Sequence, residues 1–259
     1  MANKRILNRW LSIIIVAIIV LYSASGINYA DMSSFSFATV RLVFTGLFHP
    51  DWSYFYNGSG EDLLSLLLLT IAIAFLGTGI GTVLAVPLSL LSAQNLWKSH
   101  RYIPRIFKFV CNVLRAFPEL VYAIIFVKMV GPGLFAGVLA IGVHQIGMLG
   151  KLFTEEIESM DEAPVESMEA VGANFWQSLW YARVPQLMPT FISFALNHFE
   201  IGVRSAATLG LVGAGGIGAP MIFAIQARNW GRVGIILFGI IITIFIIDSL
   251  AGFFRKKLQ

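Results

Sequence analysis

A glycine-rich run in the last quarter of the chain has a spacing that can bind phosphate groups. The sequence GAGGIG, residues 213–218, fits the G-x-G-x-x-G pattern of dinucleotide-binding turns. That pattern needs a preceding strand and an acidic residue about 20 positions later. Here an apolar stretch precedes it, and Asp and Glu are absent from 201 to 247. We therefore expect a tight break between two helices, serving as a gate or aiming N–H groups at an anion. Its glycines are Gly213, Gly215, Gly216 and Gly218.

Two pairs of opposite charges occur inside otherwise apolar stretches, where ionisable residues are costly and often functional. Arg115 and Glu119 are four residues apart, as are Glu200 and Arg204, so a helix would place each pair on one face. Each pair could simply neutralise itself inside a helix bundle. Alternatively, the arginines line a translocation pathway for an oxyanion, because a guanidinium group donates paired hydrogen bonds to such oxygens.

Two histidines, His144 and His198, lie in similar apolar stretches and are further candidates for the pathway, although a packed polar residue is the commoner role. Neither belongs to a metal-binding or nucleophile motif. The single cysteine, Cys111, excludes an internal disulfide or a multi-cysteine metal site. A G-x-x-x-x-G-K-[ST] phosphate loop is also missing. We therefore expect no catalytic residue, no metal and no cofactor bound by this chain.

Composition predicts an all-α integral membrane protein. Hydrophobic residues make up 57% of the 259 positions and charged residues 12%, with a mean hydropathy of +0.79. Soluble domains have roughly 45–50% and about 25%, respectively. The net charge of +4 is explained better by membrane topology than by nucleic acid, because no basic run is interleaved with aromatic residues.

The apolar stretches predict about six transmembrane helices. Most have the roughly 20 residues that cross about 30 Å of hydrocarbon. The fourth is short, so we expect it to extend into the polar residues that follow. The predicted spans are Trp10–Ile27, a stretch within Asp62–Ser92, Phe109–Val130, Leu134–Leu149, Leu187–Thr208 and Val233–Phe253.

The predicted organisation has two parts. Residues 1–61 would contain the first helix and an extracytoplasmic amphipathic segment at 33–48, and residues 62–259 the main transmembrane domain. The first helix resembles a signal peptide, but we expect it to be retained. Basic residues cluster in the N-terminal tail, after the second span and at the C-terminus. The positive-inside rule then places both termini and the loop 155–186 in the cytoplasm, and GAGGIG near the outer face.

Within that loop, PVESMEAVGANFWQSLWYARVP (164–185) predicts two short helices. Pro164 suits the first turn of one helix and Gly172 its C-terminal cap. Asn174 can cap a second helix, Phe175–Arg183, which we expect to stop before Pro185. The first helix would present one apolar face that needs a partner. The residues on that face are Val165, Met168 and Val171.

The same loop resembles the coupling loop of binding-protein-dependent ABC importer permeases, which has the form E-A-A, three residues, G, nine residues, I-x-L-P. Glu166, Gly172 and Pro185 match its spacing, although both alanines are replaced. In that family the loop is a coupling helix that docks into a groove on the ATPase subunit. An ordinary amphipathic connecting helix is the alternative. The resemblance implies the coupling role for Glu166, Met168, Val171, Gly172, Ala173 and Pro185.

Three longer stretches, 114–144, 151–173 and 198–218, resemble permeases of phosphonate importers, a family that includes phosphite systems. The resemblance implies a MetI-like (type I) ABC importer permease fold in a bacterial inner membrane. It also implies a homodimer, two copies of an ATPase subunit that binds ATP and Mg, and an extracytoplasmic phosphonate-binding protein. Alternatives are an importer of another small substrate such as methionine, an ion-coupled secondary transporter, and an intramembrane enzyme.

Overall fold

The computed structural model describes residues 2–26, 36–58, 60–97 and 100–258, and none of these residues lies in a strand. The chain divides into two units, Met1–Thr45 and Gly46–Gln259. The first unit contains helix α1, Ala2–Ser25, and most of helix α2, Phe37–Phe48. The predicted end of the first span at Ile27 and the start of the segment 33–48 lie outside the described residues.

The second unit is a helical bundle with short connections. Its described helices are α3 (Leu63–Ser92), α4 (Tyr102–Ala116), α5 (Glu119–Val130), α6 (Leu134–Ser159), α7 (Ala163–Ala170), α8 (Phe175–Ser178), α9 (Val184–Leu209), α10 (Gly218–Gln226) and α11 (Trp230–Leu258). As expected, the fourth predicted span continues into its polar tail, because α6 ends at Ser159.

Several of the six expected spans are shorter or less apolar than a typical span. Among the described residues, three helices are long and apolar enough to cross a membrane: α3, α6 and the Trp230–Lys257 part of α11. The pair α4 and α5 would make a fourth if counted as one bent span. The described apolar part of α1, Arg9–Ser25, is shorter. Helix α9 has 26 residues, but its polar side chains reduce its hydropathy.

The predicted third span, Phe109–Val130, is wrong as a single helix. It is broken between α4 and α5, whose axes differ by 84°. Phe117 has an extended backbone, and Pro118 follows it immediately before α5 begins. A proline has no N–H to donate and disfavours helical geometry at the preceding residue, so the break occurs here.

The core lies where five helices meet. Small and branched apolar side chains from α3, α5, α6, α9 and α11 form one buried cluster. Its buried members are Ile73, Ala74, Ala123, Ala140, Ile141, Val203, Ala206, Leu209, Ala214 and Ile247. Nearer the loop 155–186, Phe153 of α6 stacks on Phe191 of α9 with ring centroids 4.0 Å apart. These contacts hold α9 against α3 and α6.

Helices α3 and α6 approach each other closely. A Cβ atom on Gly77 would lie 2.8 Å from Cβ of Ile141, and one on Gly81 would lie 2.5 Å from Cβ of Gln145. Gly77 and Gly81 are four residues apart on α3 and therefore face the same neighbour. In lipid, helices associate largely through such close packing of small residues. Lipid tails are as apolar as the helix surfaces, so the hydrophobic effect does not drive the helices together.

We expect Gly81→Ala to destabilise the bundle by about 1–3 kcal/mol, because the added methyl group forces α3 away from α6. Thermal unfolding of the purified protein in detergent measures this effect. Gly79→Ala is the matched control on the same helix, since a Cβ atom there meets nothing within 4 Å. Equal melting temperatures for the two variants would contradict the close α3–α6 contact.

Candidate functional site

A buried polar pair joins α6 to α9. The side chains of Gln145 and His198 are both buried. His198 Nδ1 and Gln145 Oε1 are 2.7 Å apart, and Gln145 Nε2 donates to the carbonyl oxygen of His198 at 3.2 Å. The amide group thus satisfies two polar atoms of one histidine. Sequence reasoning selected His198 but missed Gln145, because the two residues are 53 positions apart.

A buried carboxylate on α9 binds two arginines. Glu200 forms the expected ion pair with Arg204 one turn later, which confirms that the two residues share a helix face. Its second oxygen lies 3.5 Å from a guanidinium nitrogen of Arg255 on α11. The Arg204 and Arg255 side chains remain 48% and 32% exposed, so both keep donors available to a ligand. Arg255 was missed because its sequence context suggested only a basic C-terminal end.

The other predicted charge pair does not form. Arg115 is exposed at the end of α4 and donates to Asn112 Oδ1 at 3.2 Å. Glu119 lies beyond the break, at the start of α5, where it is half-buried. The expectation that Arg115 and Glu119 share one helix face is therefore wrong, since Pro118 separates their helices.

Two side-chain atoms near this break lack hydrogen-bond partners among the described residues. Oε1 of Glu119 and Nδ1 of His144 are both buried and unpaired. The His144 ring lies 6.4 Å from the ring of Tyr122. Buried polar atoms without partners are uncommon and are often paired by water or by a ligand. Glu119 of α5, His144 and Gln145 of α6, and His198 and Glu200 of α9 are called the polar region of this otherwise apolar bundle.

The GAGGIG run forms a tight turn between α9 and α10. Gly213, Gly215 and Gly216 have φ of 87°, 85° and 76°, the left-handed region that favours glycine. Gly218 instead starts α10, where a Cβ atom would meet the backbone of Gly210 at 2.7 Å. The N–H of Ile217 donates to Thr70 Oγ1 at 3.0 Å, so that donor is not available to an anion.

The loop after α6 forms an elbow, defined here as residues 163–183. Helix α7 has Pro164 in its first turn, as predicted, and Gly172 follows it with φ of 87°. Asn174 caps α8 through a reciprocal capping box with Gln177. The second helix does not stop before Pro185. A π-helical segment, Leu179–Arg183, joins α8 to α9 without a break.

Pro185 lies just after the π-helical segment, at a point of the continuous helix where the regular α-helical hydrogen-bond pattern is already interrupted. Of the predicted apolar face, Val165 is buried, Met168 is half-buried and Val171 is 81% exposed. The face is therefore partly buried and partly exposed to solvent. The remaining predicted coupling residues are exposed at Glu166 and Pro185 and half-buried at Ala173.

Sequence reasoning missed a group of aromatic side chains on the elbow. They follow Asn174 directly and could have been found as bulky apolar residues in a loop expected to face water. These exposed side chains are Phe175, Trp176, Trp180 and Tyr181. Exposed aromatic residues that lie together commonly mark a protein interface.

Arg183 lies between the two helices of the elbow. Its guanidinium carbon lies 5.9 Å from the centroid of the Phe175 ring, and its side chain is buried. Burial lowers the pKa of Arg183, while the carboxylates of Glu169 and Glu162 act in the opposite direction. These acidic residues of α7 and its cap thus offset part of the cost of burying the arginine.

A separate apolar cavity of about 440 Å³ lies among α3, α6 and α9. Thr78 and Thr82 are the polar side chains among its lining residues, and none of the ionisable candidates contributes to it. An apolar wall cannot replace the hydration of an anion. This cavity is therefore unsuitable for a phosphorus oxyanion.

Comparison with known proteins identifies related permeases. The phosphate-import permease protein PhnE of Mycolicibacterium smegmatis is 33% identical over 223 residues, covering 83% of this chain and 40% of that protein. The phosphite transport system permease protein PtxC of Stutzerimonas stutzeri is 38% identical over 193 residues, covering 74% of this chain and 70% of that protein. The chain thus spans less than half the length of the first of these relatives.

The fold is that of an ABC importer permease. A solved chain of the MetNI methionine ABC transporter, in inward-facing conformations, superimposes with a TM-score of 0.63 at 17% identity, covering 87% of this chain and all of that one. This likeness confirms the expected MetI-like fold. The model of the family described as "binding-protein-dependent transport system inner membrane component" matches residues 85–259, which is more than half of the sequence. The chain therefore belongs to this family of membrane-embedded ABC importer permeases.

Proposed function

We propose that this permease imports phosphonates or a related phosphorus oxyanion such as phosphite. The observation that carries the proposal is the similarity to permeases named for phosphate and phosphite import. The substrates share a tetrahedral phosphorus group with charged oxygens, for which arginine is a suitable partner. The partly exposed guanidinium groups of Arg204 and Arg255 supply such donors within the bundle.

The proposed assembly is a homodimer, in which two copies of this chain supply the two halves of the pathway. Two ATPase subunits bind ATP and Mg, because this chain lacks a phosphate loop of its own. An extracytoplasmic phosphonate-binding protein delivers the substrate. Both termini and the elbow face the cytoplasm, as the distribution of basic residues favours.

The elbow is the proposed coupling element. Its capped helix α8 and the π-helical segment continue directly into α9, which carries His198, Glu200 and Arg204. A movement of the ATPase subunits would therefore reach the polar region through a continuous helix. ATP binding would shift the population between inward-open and outward-open states because the ATPase interface differs between them.

The proposed pathway includes polar side chains of α4, α5, α6, α9 and α11, with the GAGGIG turn (Gly213, Gly215, Gly216 and Gly218) as a gate near the outer face. Glu200 shares its charge between Arg204 and Arg255. A passing oxyanion then binds weakly enough to leave, as conduction requires. The side chains proposed to line the pathway are Arg115, Glu119, His144, His198, Glu200, Arg204 and Arg255.

The function is tested by measuring ATPase activity of this chain in lipid with its ATPase subunit and binding protein. We expect methylphosphonate or phosphite to stimulate hydrolysis when the binding protein is also present. Stimulation by the binding protein with methionine, but with no phosphorus oxyanion, would keep the permease assignment and reject the substrate.

Gly172→Pro should abolish this stimulation, because proline cannot adopt the φ of 87° at this position and the elbow must change shape. Membrane insertion should be unaffected, since a Cβ atom at Gly172 meets nothing within 4 Å. Ser167→Ala, an exposed neighbour, is the control and should keep full stimulation. Normal substrate uptake by the Gly172→Pro variant would contradict the proposed coupling role of the elbow.

Glu200→Gln should reduce uptake and lower stability by about 1–3 kcal/mol, because it leaves two arginines without their carboxylate. Arg255→Gln should have a smaller effect on stability, since the Glu200–Arg204 pair remains. Uptake of radiolabelled substrate and thermal unfolding measure the two effects. A larger loss of stability in Arg255→Gln than in Glu200→Gln would contradict the placement of Glu200 between the two arginines.

A further inference from the structure

We propose that a cavity at the start of α4 binds the phosphate group of an anionic lipid from the cytoplasmic leaflet. The cavity measures about 520 Å³ and lies apart from the polar region described above. Its lining residues are Gln94, Asn95, Trp97, Arg101, Pro104 and Arg105. The proposal is independent of the transported substrate and rests only on the cytoplasmic orientation of this loop.

The two arginines of the cavity carry charge that no neighbour neutralises. Among the described residues, Arg101 and Arg105 form no ion pair. Arg101 is the N-cap residue of α4 and Arg105 lies four residues later, so two like charges line one cavity and repel each other. The nearby acidic side chain, Glu158, is already bound to Lys108 at 2.8 Å. A phosphate group between the two guanidinium groups would relieve this repulsion through charge-assisted hydrogen bonds.

The opposite wall of the cavity is held in place by the bundle. Trp97 Nε1 donates to the carbonyl oxygen of Leu90 at 3.0 Å, and Asn95 Nδ2 donates to that of Ile157 at 2.7 Å. The backbone N–H of Gln94 donates to Glu158 Oε1 at 2.6 Å. These bonds tie the loop to α3 and α6, so a ligand meets a wall that is already ordered.

The surface beside the cavity favours a lipid over a soluble anion. An apolar stripe follows the length of α4 at helical spacing and is exposed in the protomer. Its residues are Tyr102, Ile106, Phe109 and Val113, exposed by 77%, 59%, 68% and 41%. Acyl chains can lie along this stripe while the headgroup occupies the cavity. Trp97 at the cavity suits the membrane–water interface, where anionic lipids attract basic residues.

The test measures lipid binding by the purified permease in detergent, using native mass spectrometry with phosphatidylglycerol and with phosphatidylcholine of the same acyl chains. We expect phosphatidylglycerol to bind more tightly. The double variant Arg101→Gln/Arg105→Gln should weaken its binding by about tenfold or more. Lys256→Gln, which removes an exposed charge outside the cavity, should leave binding unchanged. No ATPase subunit or transported substrate is present, so the result is separate from the proposed import function.

Two further measurements distinguish lipid binding at the cavity from a loss of folding and from binding of a soluble anion. Arg101→Lys/Arg105→Lys should keep part of the binding, and thermal unfolding without lipid should show that all variants remain folded. Equal binding of phosphatidylglycerol by the parent and the double glutamine variant would overturn the proposal. So would displacement of the lipid by equimolar glycerol 3-phosphate or inorganic phosphate, since the cavity would then select a soluble phosphate group without its acyl chains.

Discussion

The close contact between α3 and α6 is the constraint on which the rest of the bundle depends. Gly81 allows the backbone of α3 to approach Gln145, and Gln145 in turn holds His198 of α9 by two hydrogen bonds. Gly202 of α9 packs against Thr78 on the same side of α3. The spacing of two helices thus sets the position of a third. Such contacts are needed in lipid, because close packing and internal hydrogen bonds replace the hydrophobic effect between helices.

Helix α9 unites the coupling and polar parts of the molecule. It begins at the π-helical end of the elbow and carries the buried carboxylate of Glu200 further along. Ionised groups within a bundle persist when each has a partner, and here the partners come from α9 itself and from α11. The ion pairs therefore join the helix that leaves the elbow to the last helix of the chain.

Local features of this fold could be predicted from the sequence, whereas long-range pairings could not. Pro164, Gly172 and Asn174 act on their own neighbours, and the structure confirms the helix start, the turn and the cap expected of them. Pro118 was visible, but the 84° bend depends on how α4 and α5 each pack, so the Arg115–Glu119 pair was wrongly expected. The Glu200–Arg255 contact joins residues 55 positions apart, and no local pattern reveals it.

The π-helical segment has a consequence for how related sequences can differ. A π turn accommodates one residue more than an α turn within an unbroken helix. Deleting one residue from Leu179–Arg183 would restore α-helical winding and leave the turns on either side nearly in phase. The same deletion in the α-helical part of α9 would instead rotate the elbow by about 100° about the helix axis, and the aromatic side chains of α8 would point in a different direction. The π-helical segment can therefore lose its extra residue with little change in the angle at which the elbow faces a docking partner.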